Sequence, residues 1–112
     1  MTQKERKTKQ LKEKLIQLIR HQIMLPGGIS RHWNVCGKAN CRCKHPKQPV
    51  KHGPYYQLSF TLEGRSSSFF VKEKDLLQAR LFIQQHQMFR ELSTTLIRSY
   101  VDLIRQKGFS RS

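Results

Sequence analysis

An α+β fold is expected: a small antiparallel sheet carrying a cysteine-rich loop, flanked by an N-terminal helix and a long C-terminal helix. Three observations predict it. Apolar residues recur at helical spacing towards both ends of the chain. Between them, two segments alternate around Glu63-Gly64-Arg65, the mark of a β-hairpin. Third, Cys36, Cys41 and Cys43 crowd into a stretch with too few apolar side chains to form a core.

The elements follow in order. Glu5 to Met24 reads as a helix, with Leu11, Leu15, Leu18, Ile19 and Ile23 on its apolar positions and Lys and Gln on many of the others. Thr2 and Thr8 are both candidate caps, and Pro26-Gly27-Gly28 should stop the helix. Ile29 to Val35, with Trp33, reads as a short strand entering a loop. Cys36 to Gly53 is rich in Gly, Pro and Lys, so something other than a hydrophobic core must order it. Pro54 to Leu62 and Ser66 to Val71 are strands. A two- or three-stranded sheet should therefore lie within residues 29–72. Its alternation is expected to bury Trp33 and one of Tyr55 and Tyr56.

Asp75 to Lys107 carries the second helical pattern, on Leu77, Leu81, Met88, Phe89, Leu92, Leu96, Tyr100, Leu103 and Ile104. At 1.5 Å per residue it would reach roughly 50 Å, too long for a compact domain of this size. Part of it must pack on the first helix, on another copy or on a partner. Leu92, Leu96, Tyr100 and Leu103 are the residues expected to be buried there. Ser93-Thr94-Thr95, weak helix formers, mark where it would break. There is no internal repeat. The chain is expected to be a single domain over 1–112: a basic helix (1–25), a β-unit (29–72) and a long helix (75–107).

A chain of 112 residues has a limited core and often needs a metal, a disulfide or a partner. Lys and Arg number 22 against 7 Asp and Glu, a formal charge of +15. Such an excess suits a polyanionic partner. No apolar run approaches the roughly 18 residues of a membrane span. Met1 to Gln10 is charged, with no apolar signal-type region after it. These features point to a cytoplasmic protein with no membrane partner.

An odd, tight set of cysteines is a poor disulfide framework and reads as metal ligands in a reducing compartment. A structural zinc site takes four Cys or His donors in a tetrahedron. Cys36, Cys41 and Cys43 supply three, and His45 or His52 the fourth. His52 is favoured because it opens the strand at Gly53-Pro54, so a bond there would tie the loop to the hairpin. Gly37 and Asn40 suit the tight turns of a metal loop. The neighbouring cations favour thiolate. His21, His32 and His86 are scattered and read as ordinary surface or interface residues.

Cys36-Gly37-Lys38-x-Asn40-Cys41-Arg42-Cys43, followed by His52-Gly53-Pro54-Tyr55-Tyr56-x-Leu58-Ser59, resembles an uncharacterised prokaryotic family of small domains. That family reads CGKxNCRC…HGPYYxLS, then a Gly turn, a strand and a long helix. The resemblance covers roughly residues 26–90 and implies no biochemical activity. It implies that the histidine of His-Gly-Pro-Tyr, His52 here, is retained in the pattern. It also implies a setting near transposases and other mobile elements. The extra Lys and Pro between Cys43 and His52 depart from the pattern and imply a longer loop.

Charge is concentrated rather than spread. Residues 31–51 carry Arg31, Lys38, Arg42, Lys44, Lys47 and Lys51 and no carboxylate, and residues 4–20 carry seven cations against two acids. A metal-pinned basic loop can present fixed phosphate contacts, and Arg42 can read a guanine edge. Tyr55 can stack on an unpaired base of DNA or RNA. Catalysis is not expected. No Asp or Glu occurs between Lys14 and Leu62, whereas nucleases and transposases need clustered carboxylates for their metals. The zinc-deaminase pattern, the P-loop and the nucleophile elbow are absent. A Cys nucleophile working with His52 fits less well than a closed metal site. Two functions are therefore expected to compete. One is a nucleic-acid-binding accessory protein with structural zinc. The other is an adaptor using the long helix as a coiled coil or homo-oligomer contact.

Overall fold

The computed structural model describes residues 1–109. The order is helix α1 (Gln3–His21), strands β1 (Gly28–Asn34), β2 (His52–Leu62) and β3 (Arg65–Val71), and helix α2 (Leu76–Lys107). One-turn 3-10 segments sit at Arg42–Lys44 and Glu73–Asp75. The α+β architecture is the expected one. The chain divides into two compact units, one formed by Met1–Leu25 with the chain from Gln84 onward, the other by Pro26–Ile83.

The helical unit begins at a cap. Thr2, of the two candidate caps, accepts from the Glu5 backbone N–H at 3.2 Å, satisfying one of the free donors of the first turn. Thr8 lies inside the helix instead, donating to the Lys4 carbonyl at 2.8 Å. The helix ends at His21, earlier than Pro26-Gly27-Gly28 suggested; Gln22 makes the last helical bond, to the Leu18 carbonyl, and adopts an extended conformation. Pro26 disfavours helix at Leu25, and the segment from Gln22 to Gly27 is a connector.

The distal part of α2 packs on α1 within this unit. Thr8 and Ser99 are hydrogen bonded, and Lys107 pairs with Glu5. Leu18, Leu96 and Leu103 are buried and Leu92 half-buried. Tyr100, expected among them, is 37% exposed. At about 100° per residue, Leu92, Leu96, Ser99 and Leu103 fall on one stripe, and Tyr100 lies to its side. The seam thus runs through a small Ser that lets Thr8 approach.

α2 runs unbroken through Ser93-Thr94-Thr95, the weak helix formers that left a break open there. The Ser93 hydroxyl donates to the Arg90 carbonyl at 3.1 Å and that of Thr95 to Glu91 at 2.8 Å. Both polar groups are satisfied by the helix itself. α2 stops at Gly108, whose φ is 78° and whose N–H bonds to the Ile104 carbonyl at 2.8 Å, a left-handed helix cap.

In the β-unit the sheet is antiparallel with order β1-β2-β3. The hairpin turn is only Glu63-Gly64, with φ of 53° and 77°, the two positive values that a two-residue type I′ loop requires. Alternation sends Tyr56, Leu58 and Phe60 to one face of β2 and Tyr55, Gln57 and Ser59 to the other. Leu58 is fully buried, and Val71, Ala79 and Ile83 are buried. Leu77 and Leu81, expected on the apolar side of α2, are instead 82% and 46% exposed. The buried stripe of this stretch passes through Ala79 and Ile83, four apart, while Leu77 and Leu81 lie off it.

Candidate metal centre and basic loop

The loop from Cys36 to Lys51 has one buried residue, Cys43. Its fold is made of short local bonds. Cys41 N–H reaches the Lys38 carbonyl at 3.4 Å, and Lys44 N–H the Cys41 carbonyl at 3.0 Å. The Arg42 carbonyl accepts from Val50 N–H at 2.8 Å, closing the loop on itself. These bonds turn the cysteines towards one point.

The donor atoms of Cys36, Cys41, Cys43 and His52 all lie within 4.8 Å of one another. Cys36 and Cys43 Sγ are 3.5 Å apart, and Cys41 Sγ is 2.9 Å from His52 Nε2. Cys36 N–H also donates to Cys43 Sγ at 3.3 Å. Cys43 is buried and the other three are half-buried. Such a cluster can hold a metal ion.

His45 has a different job. Its Nδ1 accepts from the backbone N–H groups of Lys47 at 3.2 Å and Gln48 at 2.9 Å. It thereby serves as a turn-forming acceptor, and among the described residues the grouped histidine is His52.

The thiols differ in acidity. The Cys43 backbone N–H, followed by the side chain of Cys36, lowers the Cys41 thiol to about 6. Burial pushes the Cys43 thiol up. Three sulfurs this close repel one another once ionised, and a bound cation relieves that repulsion.

Gly53 brings His52 into place. The β1–β2 register shifts between His32 and Asn34, pairing Asn34 with His52 and His32 with Tyr55. β2 thus has one extra residue there, a bulge. Gly53 has φ 134°, and a Cβ on it would lie 2.8 Å from the His32 carbonyl oxygen. The bulge re-aims the histidine; β2 starts at His52 rather than at the expected Pro54, so Gly53 is a strand glycine only in the fold.

Arg31, Lys38, Arg42, Lys44, Lys47 and Lys51 are all exposed. Among the described residues the one ion pair within 4.0 Å joins Lys107 to Glu5, so no carboxylate neutralises the loop. Arg31 lies over the Trp33 ring, 4.8 Å from its centre, a cation–π contact. Trp33, expected to be buried, is 46% exposed; the guanidinium, not a core, packs on it. Tyr56 is half-buried and Tyr55 is 40% exposed. Phe70, 69% exposed, packs edge to face against Tyr55; a Phe in a strand ordinarily signals core, so the sequence carries no mark of this exposed pair. No helix among the described residues is long and apolar enough to cross a membrane.

No curated protein and no solved structure matches the chain. A family model described as a domain of unknown function, DUF6788, matches residues 1–81. The match takes in α1, the cysteine loop, the whole sheet and the start of α2, and so extends to the N-terminal side of the motifs that carry the resemblance. The chain belongs to the DUF6788 family.

Proposed function

We propose that the chain is a nucleic-acid-binding accessory protein whose basic loop is held in shape by one structural zinc ion. The observation that carries this reading is the loop itself. Five exposed cations, Lys38, Arg42, Lys44, Lys47 and Lys51, stand on the loop that gathers the Cys3His cluster, with Arg31 beside it on β1, and none has a carboxylate partner among the described residues. Fixed, unneutralised cations suit phosphates better than they suit any uncharged partner.

Zinc fits the donor set. Three thiolates and an imidazole are soft to borderline donors. With Zn–S bonds of about 2.3 Å, tetrahedral sulfurs lie roughly 3.8 Å apart, close to the 3.5 Å between Cys36 and Cys43. Cys36, Cys41, Cys43 and His52 would hold the ion, which would supply rigidity rather than reaction chemistry. On this reading the protein acts by binding, not catalysis, in the service of a mobile element; the resemblance to a family found near transposases supports that setting. Arg31, Lys38, Arg42, Lys44, Lys47 and Lys51 contact phosphates, and Tyr55 contacts a base.

Fluorescence anisotropy with labelled duplex DNA, single-stranded DNA and an RNA hairpin tests the reading. Binding to at least one, weakening steeply with salt, is expected. Absence of binding to all three at low salt would overturn it. A second reading, an adaptor that recruits a second copy or a partner helix, is favoured by one observation. Ile97, Tyr100 and Val101 form an exposed apolar stripe on α2. In that case light scattering would find an oligomer that hardly responds to salt.

A further inference from the structure

The outer face of the sheet carries an aromatic pair that contributes little to the core. Tyr55 is 40% exposed and Phe70 69% exposed, and their rings meet edge to face with centroids 6.4 Å apart. The opposite face holds the buried Leu58 and Val71. Leaving two large rings in water forgoes the transfer free energy that burial would supply, so the exposed pair is a feature to be explained.

The rest of that face is built from small hydrogen-bonding side chains. Ser30 Oγ is 2.8 Å from His32 Nε2, and the Gln57 amide donates to the Ser68 hydroxyl at 2.8 Å. The register sets Ser30 across from Gln57, His32 across from Tyr55, and Gln57 across from Phe70. These six side chains form one patch in which two rings are flanked by donors and acceptors. None of the six carries a carboxylate.

Topology adds an independent observation. β1 ends at Asn34 and β2 begins at His52. The cationic loop therefore leaves and rejoins the sheet at the end where His32 and Tyr55 stand. Charge suited to phosphates adjoins rings suited to stacking. A nucleic acid backbone held by the loop would carry its bases to the neighbouring rings.

We propose that this face is a platform for unpaired nucleobases. Tyr55 and Phe70 stack on successive bases, His32 and Gln57 reach base edges, and the loop cations hold the adjoining phosphates. The proposal rests on the nucleic-acid-binding reading and narrows its ligand to a single strand or an unpaired loop. Bases inside a duplex are stacked on one another and offer no free ring face.

The test uses the whole chain and two labelled oligonucleotides of equal length and charge, one of thymidines and one with an abasic backbone. Wild type should bind the thymidine strand at least tenfold more tightly. Tyr55→Ala and Phe70→Ala should each weaken that binding by roughly tenfold while leaving the abasic strand unaffected. Tyr55→Phe, which keeps the ring, should bind like wild type. If an alanine variant unfolds by circular dichroism, Phe70→Leu, with apolar bulk but no aromatic face, should give the same loss. Equal wild-type affinity for both strands would overturn the platform and leave the loop's phosphate binding standing. Failure to bind either strand at low salt while duplex or RNA hairpin still binds would overturn the platform alone, and failure to bind any of the four would remove the parent reading with it.

Discussion

Cys41 Sγ lies 2.9 Å from Nε2 of His52, joining the middle of the loop to the first residue of β2. The contact matters because between Cys36 and Lys51 only Cys43 is buried. The loop has no apolar core to hold it, so its order rests on the four donors and a few backbone bonds.

Zinc should therefore be bound at one ion per chain, detectable by elemental analysis of the purified protein. Cys41→Ser should reduce the zinc content sharply, since a hydroxyl is a poor zinc ligand beside a thiolate. A strong chelator should raise protease cleavage within residues 36–51, because metal binding and loop folding are one event. A wild type free of zinc whose loop resists cleavage would show that the cluster is not a metal site.

Gly53→Ala should damage the site without altering a ligand. The backbone there has φ 134°, and the new Cβ would lie 2.8 Å from the His32 carbonyl oxygen. A destabilisation of about 1–3 kcal/mol is expected from the backbone strain, together with weaker zinc binding as His52 shifts. Gly37→Ala is the control, since nothing lies within 4 Å of its Cβ position. Urea melts and competition with a zinc indicator measure both effects. Equal behaviour of the two variants would mean that the bulge does not position His52.

Much of this was legible in the residues, for a physical reason. Helical spacing and alternation report how apolar side chains are sorted, and that sorting dictates the element order. The clustering of Cys36, Cys41 and Cys43 is local, so it too could be read directly. What could not be read depended on partners distant in sequence. The spacing admits both His45 and His52 near the thiols, and only the folded loop brings the Nδ1 of His45 to two backbone amides. Ser93 and Thr95 are weak helix formers, yet their hydroxyls turn back onto the helix. Tyr100 matches the apolar period but sits beside the seam that Thr8 and Ser99 define. The pairing of Phe70 with Tyr55 follows from the β2–β3 register, which periodicity alone leaves open.

Leu103→Ala should destabilise the helical unit. Leu103 is 3% exposed, and removing a buried Leu side chain costs about 2–5 kcal/mol through lost transfer energy and the cavity left behind. Tyr100→Ala, at a position 37% exposed, should cost much less. Thermal melts followed by circular dichroism at the helix band separate the two. If Tyr100→Ala proved the more damaging variant, the assigned seam between α1 and α2 would be wrong.

The last prediction concerns the loop cations. Each phosphate neutralised on duplex DNA contributes about 0.9 to the slope of log affinity against log salt, and about 0.7 on a single strand. If five of the six cations of residues 31–51 meet phosphates, the duplex slope should be roughly −4.5. Replacing Arg42, Lys44 and Lys47 together by Ala should flatten it by about 2.7. All three side chains are exposed and none has a carboxylate partner among the described residues, so the change should leave stability within about 0.5 kcal/mol. Removing zinc should act differently. Every Lys and Arg stays in place while the loop loses its shape, so weak binding with a steep salt slope should persist and any preferred ligand should be lost. Titrations of wild type, triple variant and zinc-stripped protein at several salt concentrations distinguish these effects. Equal slopes for wild type and triple variant would mean that the phosphates are held elsewhere, with the cations of α1 the next surface to mutate. A triple variant with an unchanged slope and a wild type that oligomerises through α2 would favour the adaptor reading.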